Sequence, residues 1–307
     1  MVQPTLKQLR FLIALDDHRN FGRAAAACHI SQSAFSLAIK ELETKLNVRL
    51  VDRTNRSLTF TEIGRAIADQ ARLCIGDIEA LMDIAAGSKE PLSGRLALGV
   101  IPTIAPFLLP AVLPEIRKRH PRLQLYLRED KTGVIHEQLL DGRLDLILIA
   151  LPFEMRGVVE MPLFSDPFLF ACREGSKWLN TGKGDIDIDA LPEESILLLD
   201  DGHCLRDHAL HACDLRNSDQ ISRFAATSLQ TLLQMVANDL GVTFIPAMAK
   251  NSIMLQGSGI EMHAMPTHSS RRIGLAWRKG SGREQEFQAF GSLIREFYAG
   301  SGPSAGP

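Results

Sequence analysis

Two cysteines nine residues apart, Cys204 and Cys213, stand in the segment LLLDDGHCLRDHALHAC (197–213) among His203, Arg206, His208 and His211. Three kinds of chemistry suit these residue types. Both thiols can be packing side chains beside surface imidazoles. Cys204, His208 and His211, spaced i, i+4 and i+7, can offer sulfur and nitrogen to a metal from one helical face, although no Cys-x-x-Cys or distant Cys/His pair completes a four-ligand set. The two thiols can also form a redox switch.

The segment reads as a strand (ILLLD), a turn (DDGH) and a helix starting at Cys204, with Leu205, Ala209 and Ala212 on its apolar side. Cys204 then lies at a helix N-terminus near His203 and Arg206, an environment expected to lower a thiol pKa, which makes it the candidate nucleophile. Were the helix to run through Cys213, the two side chains would be separated by roughly 13 Å along the axis. A disulfide needs Cα atoms within about 7 Å, so a bond between them requires this helix to unwind.

The elements that must position this segment follow from the rest of the chain. Its 307 residues exceed one ordinary core, and 45% hydrophobic with 23% charged residues describes a globular chain of two or three units. Net charge is −2, but residues 1–65 carry ten Lys or Arg against six Asp or Glu, leaving +4 on the N-terminal part and −6 on the remainder. A basic module on an acidic body hints at nucleic-acid binding. There is no signal-peptide pattern at the start and no apolar stretch approaching the ~18 residues needed to span a membrane, so a cytoplasmic protein without membrane contact is expected. Five scattered cysteines do not form a secreted disulfide framework.

Three short helical patterns open the chain, with apolar stripes at Leu9, Leu12 and Ile13, then Phe21, Ala24, Ala25 and Cys28, then Ala34, Ala38 and Leu42. Ser31 is a candidate N-cap for the third. That helix would present Gln32, Ser33, Ser36 and Lys40 away from the stripe, where the first turns of a recognition helix reach base edges. RLVDRTNRSLTFT reads as two extended runs about a turn at Thr54–Asn55, with Arg53 and Arg56 placed to meet phosphates. From Thr61 to about Glu90 a helical pattern of about 28 residues makes a rod of roughly 40 Å, suited to dimerisation, and GSKEPLSG (87–94) reads as a hinge. Cys28 and Cys74 lie on apolar stripes and read as packing residues.

Beyond residue 94, strand candidates at 95–101, 123–129, 144–150, 168–174, 196–200, 241–246 and 273–277 alternate with helical patterns, predicting an α/β architecture with mostly parallel sheets. Thr103 and Thr132 fall at carboxyl ends of strands, where ligands of open sheets bind, although either can serve as a turn residue. Cys172, inside an apolar strand, reads as structural.

Five motifs resemble the LysR-type transcriptional regulators: FGRAA (21–25), SQSAFS (31–36), LETKLNVRL (42–50), RT (53–54) and FTEIG (60–64). Ser33 departs from a proline common there. The resemblance implies an N-terminal all-α winged helix-turn-helix over residues 1–62, in which Arg23 joins the DNA-contacting residues, and a linker and dimerisation helix with hinge over 63–93. A regulatory domain over 94–300 would have the α/β two-lobe architecture of periplasmic binding proteins. Lobe I would take 95–165 with 271–300 and lobe II 166–270, and 301–307 would be a tail.

Within that family, GHCLRD with a second Cys nine residues after the first, FAATSLQTLLQMVA (224–237) and GVTFIPA (241–247) resemble the hydrogen-peroxide sensors. This implies Cys204 as peroxidatic thiolate and Cys213 as resolving thiol, joined on oxidation in a disulfide. Thr103, Thr132, His203 and Asp207 would form the peroxide pocket, with Arg271 stabilising the thiolate. It also implies a homotetramer on double-stranded promoter DNA that acts on RNA polymerase, is reset by cellular thiol reductants, and is neither an enzyme nor dependent on a metal or other cofactor. Ala225, where an Arg is often found, and Arg272, a second cation beside Arg271, depart from the pattern. The rival readings are a regulator responding to a small organic effector or metal, and a thiol peroxidase.

Overall fold

The computed structural model describes residues 3–53, 58–85, 92–178, 188, 190–213, 215, 218–266 and 268–300. The chain divides into two compact units, one taking residues 1–90 with 138–144 and 280–283, the other the remainder. Among the described residues no helix is long and apolar enough to cross a membrane.

In the first unit, α1 (Leu6–His18) starts at a capping box between Thr5 and Gln8. Asn20 caps α2 (Phe21–Ala27), and Ser31 caps α3 (Gln32–Leu46) by accepting a bond from the Ala34 amide, as expected. The buried stripes differ from those expected on α1 and α3. They are Phe11, Leu12 and Leu15, then Phe35, Ile39 and Leu42, while Ala34 is exposed. Phenylalanines at 11 and 35 bury more apolar surface than the small residues beside them, and their rings meet at 5.2 Å between centroids.

Strands β1 (Val51–Arg53) and β2 (Leu58–Phe60) pair antiparallel as the wing. Glu43 of α3 accepts the Leu50 amide at 2.8 Å, and Thr61 both donates to the Arg49 carbonyl at 2.8 Å and accepts the Gly64 amide at 2.9 Å. A Cβ at Gly64 would fall 2.0 Å from the Leu50 carbonyl oxygen, so only glycine lets α4 (Glu62–Ala85) start against the wing. Arg72 fixes α4 to α1 by bonds of 2.6 and 2.7 Å to Asp16 and Asp17. The apolar Ile63, Leu81 and Met82 stay exposed on α4. The helical pattern expected to reach Glu90 and most of the hinge run into 86–91, outside the described residues, as do Arg56, the turn at 54–55 and the tail.

Beyond the first ninety residues the chain forms β3 (Gly94–Val100), α5 (Ala105–Arg119), β4 (Leu123–Glu129), α6 (Thr132–Leu140), β5 (Leu146–Leu151) and β6 (Val158–Arg173). It continues with β7 (Ile196–Leu199), α7 (Cys204–Ala212), β8 (Ile221–Ala226), α8 (Leu229–Ala237), β9 (Thr243–Pro246), β10 (Ile260–Ala264), β11 (Ser270–Arg278) and α9 (Glu284–Gly300). The main sheet runs β10-β6-β11-β5-β3-β4, with β9 also on β6, while β7 and β8 pair separately.

Parallel pairing links β3 to β4 and β5, and β7 to β8, but β11–β5, β11–β6, β6–β9 and β6–β10 are antiparallel. The expectation of mostly parallel sheets is therefore corrected to a mixed sheet. The cause is β6, twice as long as expected: it pairs with β11 as far as Pro167, and from Phe168 with β9 and β10. Strands β8 and β10, with half-exposed rather than continuous apolar patterns, carry too little signal to be read from the sequence. A separate core of lobe II gathers Phe168, Phe170, Ile196, Leu205, Leu233 and Phe244 with Cys213.

Candidate functional site

The site is built where β7 ends and α7 begins. Gly202 adopts φ +85°, a left-handed turn that glycine takes without strain, and brings the chain into α7 with His203 at the N-cap and Cys204 as first residue. From lobe I, Thr132, the first residue of α6, sets its Oγ1 2.7 Å from Cys204 Sγ, both groups buried. Two further bonds hold the segment against lobe I: Lys131 Nζ donates to the Asp201 carbonyl at 3.0 Å, and His208 Nε2 meets the Pro152 carbonyl oxygen at 3.0 Å.

Beneath this contact lies a buried ion pair at the crossing of the two long strands. Arg271 on β11 is the direct cross-strand partner of Asp166 on β6, with Nε and Nη2 donating at 3.1 and 3.0 Å to one carboxylate oxygen. Its Nη1 and Nη2 also donate, each at 2.9 Å, to the Thr103 hydroxyl and carbonyl, and the Met248 amide donates to Asp166 at 3.0 Å. Burial pushes Asp166 up and Arg271 down, and each charge acts against the shift of the other. The guanidinium is thereby fixed in place, and its charge reaches Cys204 through space.

Burial raises the Cys204 thiol above its ordinary value, and Asp207 adds to that, while the Thr132 bond and Arg271 lower it. The expected lowering by a helix N-terminus and neighbouring cations is therefore corrected: desolvation of a nearly inaccessible sulfur is the largest effect. Arg206 is engaged elsewhere, bonding the Leu199 carbonyl at 3.3 Å and Asp201 at 3.1 Å. Asp207 is exposed on the first turn of α7 and opposes the thiolate by charge. His203 is buried with Nε2 unbonded among the described residues, and burial followed by Lys131 lowers its pKa, which favours the neutral ring.

At the other end of α7, Cys213 is the C-cap, its amide bonded to the Ala209 carbonyl at 3.0 Å. Its thiol, packed in the apolar core of lobe II, is pushed up to about 12 by burial. α7 thus runs unbroken between the two sulfurs. His211 stays exposed and His208 is spent on Pro152, so the i, i+4, i+7 trio is not gathered around a common point.

The structure brings together Thr103 with Arg271, and Thr132 with Cys204, beside His203. Of the residues expected to meet DNA, Arg23, Gln32, Ser33 and Lys40 are exposed and Ser36 is half-buried, while Arg53 lies on β1. Asp166 and Lys131 are site residues not singled out from the sequence, whereas His208, considered there as a metal ligand, is instead bonded to the Pro152 carbonyl. Of the first two, Asp166 leaves a signal, a carboxylate between apolar runs in LFSDPFLF, because such a residue must be paired when the strand is buried.

Residues 6–65 match the bacterial regulatory helix-turn-helix family of lysR type, and residues 89–299 match the LysR substrate binding domain. The chain is 37% identical over 290 residues, 94% of each sequence, to the DNA-binding transcriptional dual regulator OxyR of Escherichia coli K12. Its fold is similar to a full-length OxyR variant from Pseudomonas aeruginosa, with TM-score 0.82, 33% identity and 96% of each chain covered. It is also similar to the reduced regulatory domain of OxyR2 from Vibrio vulnificus, with TM-score 0.65 and 41% identity over 68% of this chain and 97% of that one. The chain belongs to the LysR family of bacterial transcriptional regulators, with the helix-turn-helix and the two-lobe regulatory fold of that family.

Proposed function

We propose that this chain is a hydrogen-peroxide-sensing transcriptional regulator of OxyR type, whose switch is α7. The observation that carries the reading is the placement of two buried thiols at opposite ends of one nine-residue helix, with the first held at 2.7 Å by a hydroxyl of the other lobe.

In the reduced state Cys204 is a thiol, so peroxide must be positioned as the proton leaves. The Thr132 hydroxyl and the charge of Arg271 favour the thiolate against burial. Thr103, oriented by Arg271, and His203 supply further hydrogen-bonding groups for the oxidant. The sulfur attacks one peroxide oxygen, the O–O bond breaks, and the thiol proton goes to the departing oxygen, giving Cys204 sulfenic acid and water. Cys213 then attacks that sulfur, and a second water leaves as the disulfide forms. Because the disulfide cannot span an intact α7, its formation unwinds the helix and releases the contacts of Lys131 and His208 with it.

In this reading residues 1–62 bind double-stranded promoter DNA through α3 and the wing, by Arg23, Gln32, Ser33, Ser36, Lys40, Arg53 and Arg56. Residues 63–93 dimerise the chain, which the exposed apolar residues of α4 support, and residues 94–300 sense, with lobes divided at 165/166 and 270/271. A homotetramer would pass the change to DNA and RNA polymerase, thiol reductants would restore α7, and turnover of peroxide as an enzyme is not its purpose.

The test is non-reducing peptide mapping by mass spectrometry after peroxide treatment of the reduced protein, with DNA footprints of both states. A Cys204–Cys213 linkage, removed by a dithiol and accompanied by a changed footprint, is expected. A footprint that still responds in Cys204→Ser would overturn the reading in favour of a non-redox effector.

A further inference from the structure

Lobe II holds a cluster of metal-ligating groups that the redox site does not use. Across the antiparallel pair of β6 and β10, Glu261 stands directly opposite Cys172, and His263 follows Glu261 by two residues, so the three side chains share one face of the sheet. The Cys172 sulfur, a Glu261 carboxylate oxygen and a His263 ring nitrogen lie within 4.8 Å of one another.

His263 Nε2 is 3.6 Å from a Glu261 oxygen, too far for a hydrogen bond, and this shielded nitrogen has no hydrogen-bond partner among the described residues. Nitrogen and oxygen ligands each about 2.0–2.2 Å from a tetrahedral zinc ion are themselves roughly 3.3–3.6 Å apart. The gap therefore has the width of a shared ion. Cys172 is wholly buried, and Glu261 and Asp239 both act on its sulfur electrostatically, making the position unfavourable for a second free anion and favourable for a cation.

We propose that Cys172, Glu261 and His263 bind a divalent cation of zinc type through one sulfur, one oxygen and one nitrogen, with a fourth position left to water. Sulfur and imidazole donors select zinc-like ions over magnesium or calcium, which take oxygen ligands. Binding is an acid–base exchange: the Cys172 thiol proton passes to solvent as the sulfur–metal bond forms, and nothing is oxidised or reduced. The ion would tie β10, the end strand of the sheet, to β6 through side chains as well as backbone.

The test uses full-length reduced protein, stripped of metal with a chelator and titrated anaerobically with Co2+. One equivalent per chain is expected, with a thiolate-to-cobalt charge-transfer band that added Zn2+ abolishes. The band should be absent in Cys172→Ser, cobalt affinity should fall at least about tenfold in His263→Gln, and both signals should persist in a chain carrying Cys204→Ser and Cys213→Ser. His263→Gln, altering a partly exposed side chain, decides the matter should the buried Cys172→Ser fail to fold. No thiolate band in the unaltered chain, unchanged affinity in His263→Gln, or a band lost with Cys204 and Cys213 would overturn the proposal.

Discussion

Cys204 and Cys213 mark the two ends of α7 and are buried alike, 6% and 5% exposed, yet their surroundings differ in kind. Around Cys204 stand the Thr132 hydroxyl, the His203 ring and the field of Arg271; around Cys213 the core of lobe II supplies apolar side chains. Burial raises both thiols, but only at Cys204 do a hydrogen bond and a fixed cation act against the shift. Burial alone therefore does not decide which sulfur is poised to react. The groups that would receive the developing charge do, and they come from the opposite lobe and from the strand crossing.

The strongest way to break this asymmetry is to remove the frame behind Cys204. Asp166→Ala leaves Arg271 buried and without its counter-charge, and should cost about 3–5 kcal/mol of unfolding free energy, measured by denaturant titration of the reduced chain. A cost below 1 kcal/mol would show that the guanidinium is held by Thr103 alone. Next come the two cysteines themselves. Cys213→Ser puts an unpartnered hydroxyl into an apolar core, with an expected loss of about 1–3 kcal/mol. Cys204→Ser keeps a hydroxyl partner in Thr132 and should cost about 1 kcal/mol less than that; equal losses in the same titration would erase the contrast between the ends.

Thr132→Val removes the bond to the Cys204 sulfur without changing side-chain shape. Sulfenic acid formation, followed by stopped-flow trapping, should slow about tenfold, the equivalent of one hydrogen bond of roughly 1.4 kcal/mol. Thr103→Val, two groups removed through Arg271, should slow it less. The last effect is absent at neutral pH and grows only above about pH 8.5, in the pH dependence of stability. The Cys213 thiol is pushed up to about 12 in the folded chain against an unfolded value near 8.5. Its contribution is therefore fully present below about pH 8.5 and lost as pH rises toward 12, where the unfolded chain has already released the proton. Cys172 and Tyr298, likewise pushed up, to about 11 and about 12, add to the same slope. Cys213→Ala should flatten the decline above pH 9 while leaving the curve below pH 8 parallel to that of the unaltered chain.

Much of the helix-turn-helix was legible because its signals are local. Ser31 caps its own helix, and the Gly64 and Glu43 positions of the motif each have a backbone partner within a few residues or across the short wing. On α1 and α3 Leu12 and Leu42 are buried as expected, but Phe11, Leu15, Phe35 and Ile39 take the places expected for Leu9, Ile13, Ala34 and Ala38. Several apolar residues compete there, and the packing of Phe11 on Phe35 helps select among them. In the regulatory unit the apolar strands were visible, but β8, β10 and the first half of β6 were not, since their residues are half-buried and their pairing is with strands far along the chain.

The nine-residue spacing, the helix that encloses it and the resulting need to unwind are properties of the sequence alone, because helical rise and disulfide geometry are fixed by covalent structure and backbone hydrogen bonding. The electrostatic character of Cys204 was not so determined. Sequence neighbours suggested a lowered pKa, whereas the fold bonded Arg206 to the Leu199 carbonyl and Asp201, exposed Asp207, and put a threonine 72 positions away against the sulfur. It also paired Arg271 with Asp166, 105 positions away, where both side chains are wholly buried. Desolvation and through-space charge depend on which surfaces meet, and only the tertiary structure of the two lobes decides that.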